Sequence, residues 1–432
     1  MKIQLIAPAL HAPLGASREF KRVLFPALAL PTLAALTPSD VEVGIIDESI
    51  EPLDPEAIQA DLVGITCMTG NAPRAYAIAD SLRQRGIPVA LGGVHVSLVP
   101  EDAAGHADAV VIGEAEGLWE QLVADARAGR LERFYSREGH PDLTCTPRPR
   151  LDMLNHRGYI TRGAVQASRG CPHDCSFCTV SALHGRRYRF RPVERVVEEV
   201  ADIRDKWIMF VDDNLAGNLD YARRLFERLR DLGRSWVAET TMTIARHADL
   251  LRLAAKSGCQ GLFVGLESLS AANLKEIGKS INVLGKCKDA IKRIHDEGIA
   301  VEGSFILGLD EDDEGVFERT VRFAEDVHLD LAQFGILTPF PGTRIRKQLE
   351  EEDRIISSDW SLYDIGHVVF RPKRMSVETL QEGFQTAWRE FYSRWSIAKR
   401  LSGMRDHLLF RLWVNLICRS RVYGYFDAVA AP

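Results

Sequence analysis

The sequence predicts an α/β protein in three parts. A doubly wound, Rossmann-like parallel sheet spans residues 1–130, a partial (β/α)6 barrel spans 164–344, and a mixed and then helical region fills 345–432. Three observations predict this. Short β-rich runs alternate with helical stretches through both halves, the pattern of strand–helix–strand units. The alternation breaks once, at PDLTCTPRPR (141–150), whose prolines and turn formers mark a linker over 131–163. Beyond 345, Leu380, Phe384, Ala387, Trp388 and Phe391 fall at helical spacing, as in a helix packed on the barrel.

In the first part the expected strands are KIQLIA (2–7), VEVGIID (41–47), DLVGITC (61–67), PVALGG (88–93) and DAVVIG (108–113). A helix from Ala72 to Arg85 is stopped by Gly86 and Pro88. Ligands of such sheets lie beyond the carboxyl ends of the strands, which here carry Thr66, Thr69, Gly70, Gly92, Gly93, Gly113 and Glu114. The barrel strands are expected at 164–168, 207–211, 235–241, 261–265, 301–306 and 331–337. Between the first two runs a helix at 192–203, with Pro192 in its first turn and Val193, Val196, Val197 and Val200 on one face. Barrel enzymes place their chemistry at the carboxyl ends of the strands.

Composition narrows the function classes. A chain of 432 residues, 46% hydrophobic and 26% charged, is globular throughout, and a net charge of −6 gives no general attraction to nucleic acid. Small molecules are the expected partners. The amino terminus is broken too early, by Pro8 and His11, for a secretory signal, and no uncharged apolar run reaches about 18 residues, so the expected location is the cytoplasm. The final segment, HLLFRLWVNLICRSRVYGYF (407–426), mixes apolar and basic residues. Such a helix packs into a core or dimer, or lies against a membrane surface as a peripheral contact.

Of eight cysteines, three crowd into SRGCPHDCSFCTV (168–180), spaced C-x3-C-x2-C just after the first barrel strand. Three thiolates from Cys171, Cys175 and Cys178 would hold a [4Fe–4S] cluster and leave one iron open. The alternative is a structural zinc, which needs a fourth ligand. His173, between the first two thiols, is poorly set to close that tetrahedron, and no second cysteine pair follows. Cys67, Cys145, Cys259, Cys287 and Cys418 stand alone and read as buried fillers.

The motif resembles the signature of the radical S-adenosylmethionine (SAM) superfamily, in which an aromatic residue, here Phe177, precedes the third cysteine and lies by the adenine. The resemblance extends to FVDDN (210–214), GLFVGLES (261–268), GSFILGLD (303–310) and LTPFPGT (337–343) at successive strand ends. It implies that Asp212, Asp213 and Asn214 hold the SAM amino group and that Glu267 contacts the ribose or amino-acid end. It adds Ser304, Thr338 and Pro339 to the cofactor surface. For Asp212 and Glu267 the alternative is a strand-end cap or a structural ion pair.

The string LGGVHVSLVPEDA…ADAVVIGEAEG (91–117) resembles the cobalamin-binding domain that precedes the barrel in the radical SAM class that includes the hopanoid methylases, and YDIGHVVFRPKRMS (363–376) extends the likeness. The D-x-H-x-x-G box that supplies a cobalt-ligating histidine elsewhere is missing from residues 1–130, and His95 lies outside any such box. The resemblance implies cobalamin beside CMTGN (67–71), with Met68 or Asn71 nearest cobalt, although a module that binds no cofactor is the alternative.

Together these imply an enzyme that cleaves SAM reductively to a 5′-deoxyadenosyl radical and methylates an unactivated carbon of a small molecule. Its electrons would come from a flavodoxin or ferredoxin. Cobalamin-assisted cyclisation or oxidation without methyl transfer, and a non-catalytic cobalamin or iron–sulfur sensor, are the rival readings. A tRNA methylthiolase would carry an extra three-cysteine domain and a basic RNA module, and neither is visible.

Overall fold

A computed structural model of the chain describes residues 1–9, 23–279, 284–402 and 408–429. Strands β1 (Lys2–Ala7), β2 (Glu42–Asp47), β3 (Leu62–Thr66), β4 (Val89–Gly92), β5 (Ala109–Val111) and β6 (Phe134–Tyr135) form one parallel sheet in the order β2-β1-β3-β4-β5-β6. The Ile, Leu and Val side chains of β1, β3, β4 and β5 are buried on both faces, as a sheet covered by helices requires, and those of the edge strand β2 are half-buried. The order reverses between β1 and β3, so the crevice beyond those two strand ends is the ligand position of a doubly wound sheet.

The expected linker is not a free tether. It supplies β6 to the first sheet, the Arg150 amide donates to the Pro31 carbonyl (2.9 Å), and the Tyr159 hydroxyl donates to Asp47 Oδ2 (2.7 Å). The expected buried filler Cys145 is exposed there, because the short turn at Leu143–Cys145 buries Leu143 instead.

The second sheet orders β7 (Ala164–Val165), β10 (Trp207–Phe210), β11 (Ser235–Thr240), β12 (Cys259–Glu267), β13 (Ala300–Leu307) and β14 (Leu331–Ile336) consecutively and in parallel. The expected first strand, 164–168, is split. After β7 the chain leaves the barrel wall, and Ser168–Gly170 (β8) pairs antiparallel with Tyr188–Phe190 (β9), a ribbon the sequence reading missed. Pro192 stands one position before the helix Val193–Asp202, which buries the four valines.

Alternation along the barrel strands separates two environments. Ile208, Phe210, Trp236, Ala238, Leu262, Val264, Val301 and Phe305 pack outward against the helices and are almost fully buried. Met209, Val237, Glu239, Phe263, Glu302, Ser304 and Gln333 lie on the other face and keep accessible surface, so this barrel encloses a lumen where closed barrels have packed layers.

The carboxy-terminal helices complete the barrel. Trp388 Nε1 donates to the Phe334 carbonyl (3.0 Å), and buried Arg400 donates to the carbonyls of Leu329 (2.8 Å) and Asp330 (2.9 Å). The last helix, Leu408–Val429, crosses the amino-terminal end of the barrel. Phe410 stacks on Trp207 at the start of β10 (centroids 5.6 Å), and Asn415 Nδ2 reaches the Asp330 carbonyl before β14 (3.1 Å). Arg411, Asn415, Val422 and Phe426 are buried, while Leu409, Leu412, Trp413 and Leu416 form an exposed apolar face at i, i+3, i+4, i+7. No helix among the described residues is long and apolar enough to cross a membrane.

Candidate active site at the facing strand ends

The three cysteines lie on the turn that leaves β8 and enters the helix Thr179–His184. The Cys178 amide donates to the Cys175 carbonyl (3.2 Å), and the Ser176 amide to the Ile277 carbonyl (3.1 Å), which fixes the turn against the end of the helix Ala271–Glu276. Burial raises all three thiols, Cys175 to about 11, and each of Cys171 and Cys175 is raised further by its cysteine neighbours. Opposing this, the His173 amide and Asn214 Nδ2 (3.8 Å) point at Cys171 Sγ, and the amides of Val180 and Ser181 at Cys178. Such donors stabilise thiolates and tune iron–sulfur clusters.

The donor set fits a cluster better than one ion. Tetrahedral zinc at about 2.3 Å from each sulfur draws the thiolates within about 4 Å of one another. The three sulfurs are not all within 4.8 Å of each other, as a cube of four irons requires, and His173 forms no ligand group with them.

The residues around the thiols divide by task. Asp212 is buried, and its carboxylate accepts from the Ala167 amide (3.1 Å), the Ser168 amide and Ser168 Oγ (2.5 Å). It ties β10 to the approach to the cysteine turn, so the expected SAM contact gives way to the strand-end cap. Asp213 Oδ2 accepts from the Gly170 amide (2.8 Å), one residue before Cys171. Asn214 bridges Cys171 and Thr240, whose hydroxyl donates to Asn214 Oδ1 (3.1 Å).

Glu267 ends β12 at φ 65° and forms an ion pair with Lys279, which the sequence reading missed. This pair sits where Lys279's charge also bears on Cys175. Phe177 packs against the barrel core, and Ser304 faces the lumen. Thr338 and Pro339 are buried. The Thr338 hydroxyl donates to the Ile336 carbonyl (3.0 Å), and the Pro339 carbonyl accepts from Arg346 (3.2 Å).

The strand ends of the first sheet face this site. Leu98, on the short helix after β4, packs where any side chain on Gly342 would collide with it (2.8 Å), and that helix touches Thr179–His184. Gly93, at φ 105°, carries the chain across β3, since a Cβ there would lie 2.7 Å from the Cys67 carbonyl. Beside it Thr66 is half-buried, as is Gly92, and Gly113 opens onto free space. In the CMTGN turn only Met68 is turned outward, 53% exposed at the β1/β3 crevice. Thr69 and Gly70 are buried, and Asn71 is spent inside, accepting from the Met68 amide (2.8 Å) and donating to the Pro8 carbonyl (2.9 Å). An open glycine-lined crevice faced by a soft thioether fits a large flat cobalt cofactor.

Two expected cofactor residues serve the domain contact. His95 is wholly buried, edge-on to Trp360 (centroids 5.1 Å) and 3.4 Å from Thr69 Oγ1, and burial lowers its pKa. Glu114 pairs with Arg169 (2.6 Å), Arg189 and His140 (3.0 Å), and its arginine partners hold its carboxylate ionised against burial. Glu114, His140 and His184 have ligand atoms close enough for a metal, but the two guanidinium groups already neutralise that carboxylate.

Two acids lie inside the barrel. Burial pushes Glu302 up to about 7, and Glu239, also raised by Asp213, Glu267 and Glu302 and lowered by Lys279, to about 7. An acid raised on folding binds its proton better folded than unfolded. Its cost is therefore absent below about 4.5, grows as pH rises from there to about 7, and is fully present above that. Glu302→Gln should accordingly raise the thermal midpoint by a few degrees at pH 8 and leave it unchanged at pH 4.5. An equal shift at both values would refute the assignment.

Residues 165–324 match the radical SAM superfamily and residues 24–123 the B12 binding domain. Over 387 residues the chain is 33% identical to a bacteriochlorophyllide d C-12(1)-methyltransferase of Chlorobaculum tepidum, covering 87% of this chain and 84% of that protein. It is 29% identical over 350 residues to the hopanoid C-2 methylase of Rhodopseudomonas palustris, covering 77% and 66%. Among solved structures, the radical SAM methyltransferase TsrM from Kitasatospora setae, with tryptophan and a SAM analogue bound, aligns with TM-score 0.69 over 99% of this chain and 98% of its own. At 15% identity that likeness is one of fold.

Proposed function

The chain belongs to the radical SAM family that carries an amino-terminal B12-binding domain, and from that premise we propose that it methylates an unactivated carbon of a small molecule. The observation that carries this reading is the apposition of two strand-end faces, one bearing the three thiols and the other the glycine-lined crevice with Met68. Bound there, the iron–sulfur cluster supplies the electron that cleaves SAM to a 5′-deoxyadenosyl radical, and cobalamin supplies the methyl group.

The protein's own groups hold and orient. In this reading Cys171, Cys175 and Cys178 grip the cluster, Asn214 points its amide at Cys171, and Asp212 and Asp213 fix the backbone that presents the turn. Glu267 at the end of β12 and Lys279, just past the helix Ala271–Glu276, pair beside Cys175 where the nucleotide would lie. The lumen receives the substrate and keeps water from the radical. Cyclisation or oxidation without methyl transfer is the competing outcome on the same site.

Anaerobic turnover with SAM carrying a trideuterated methyl group tests the reading. Label in the product together with 5′-deoxyadenosine is expected. Accumulation of 5′-deoxyadenosine with no label in any product would overturn methyl transfer, and no 5′-deoxyadenosine above a Cys175→Ala control would leave a sensor.

Met68 gives a separate check on cobalamin. Met68→Trp fills the crevice, so cobalamin retained after gel filtration should fall about tenfold while iron content is unchanged. Unaltered retention would remove Met68 from the cofactor face.

The unpaired cysteines and cluster suit a reducing compartment, which we take to be the cytoplasm, with a flavodoxin or ferredoxin as electron donor. We assign the exposed face of Leu409, Leu412, Trp413 and Leu416 to peripheral contact with a bilayer surface, where tryptophan and leucine partition. Co-sedimentation with anionic vesicles, abolished in Leu409→Glu/Leu416→Glu protein, is the expected result. Protein left wholly in the supernatant would refute it.

A further inference from the structure

Deepening the methyltransferase reading, we propose that the barrel lumen recognises a substrate with an apolar body and a cationic or N–H-bearing group, held between Glu239 and Glu302. The placement follows from strand register. Glu239 on β11 aligns with Phe263 on β12, and Phe263 aligns with Glu302 on β13. Residues in register on neighbouring strands point to the same face, so the two carboxylates flank the Phe263 ring in one layer of the lumen. Two strand spacings put their Cα atoms about 10 Å apart, a span that a substrate head group bridges.

Neither carboxylate has a hydrogen-bond or ion-pair partner among the described residues. Glu302 is surrounded by protein and only partly accessible, and it faces the lumen. The nearby cation, Lys279, is taken by Glu267. Glu239 is exposed and Glu302 half-buried on the lumen face, so a ligand that displaces water from them must bring a donor of its own.

The rest of the lumen defines the body of the ligand. Met209, Val237, Ile306 and Leu331 line the same face, and Ser304 and Gln333, in register with each other, add polar atoms one layer nearer the strand ends. The helix Leu408–Val429 closes the opposite end through Phe410 and Asn415. A ligand therefore enters from the strand ends, apolar surface along the wall and its donor group toward the glutamates. An anionic head group would face two carboxylates and be rejected.

Calorimetric titration of the reconstituted holoprotein with two matched probes tests this: 2-naphthylmethylammonium and 2-naphthoate share a ring and differ in the sign of the head group. The ammonium should bind at least about tenfold more tightly, and Glu302→Gln and Glu239→Gln should each reduce that preference by about tenfold. Iron content equal to the parent's confirms that each variant keeps its fold. Equal binding of the two probes, or an unchanged preference in both variants, overturns the proposal. SAM cleavage without added ligand is read separately. Ammonium selectivity in a protein that never cleaves SAM would refute the enzymatic reading and leave the lumen site standing.

Discussion

Cys175→Ala protein, purified and reconstituted without oxygen, is expected to form 5′-deoxyadenosine at least about a thousandfold more slowly than the parent, because losing one of three ligands removes the cluster's chemistry outright. Cys175 is the most buried of the three thiols, and it lies beside both Lys279 and Glu267. The visible absorbance of the cluster should fall with the activity. Parent-like iron, sulfide and SAM cleavage in this variant would sink the assignment of the motif.

The same thiols set a pH dependence of assembly. All three titrate above their ordinary range because they are buried, and iron binds only the thiolate. Cluster assembly releases protons, so reconstitution should be more complete at pH 8.5 than at pH 6.5.

Asp212→Ala should be the most destabilising single change near the site. It removes the acceptor for two backbone amides and the Ser168 hydroxyl, all buried. At about 1–3 kcal/mol for each buried donor left unpaired, a loss on the order of 3–5 kcal/mol is expected. Melting should shift down by several degrees, and cluster content should fall because the turn carrying Cys171 loses its anchor. A SAM-binding aspartate would behave otherwise. Unchanged melting and iron content, with only weaker SAM binding, would return Asp212 to the role its position in FVDDN suggests.

Much of the fold was legible because its signals are local. Val, Ile and Leu runs between glycines and prolines locate β1, β3, β4 and β5, and the valines of Val193–Asp202 locate a helix face, since each pattern repeats within a few residues. β6 and the ribbon of β8 and β9 escaped notice because strands of two or three residues carry no period, and only their pairing partners define them.

The candidate site divides the same way. The spacing of three cysteines within eight positions announced the metal chemistry, because a cluster-binding turn is a local object. The tasks of Asp212, Glu114 and His95 depend on partners far along the chain: Ser168, Arg189 and Trp360. Lys279 and the lumen glutamates gave no signal for the same reason.

The sequence by itself determined the order of strands and helices, the cysteine turn and the two domains' kinship, because short-range periodicity and spacing carry that information. Only the tertiary structure decided which acids are spent on hydrogen bonds, that Met68 alone of its turn faces outward, and that Glu239 and Glu302 share one layer. Burial and register are properties of residues brought together from distant positions, and no local pattern records them.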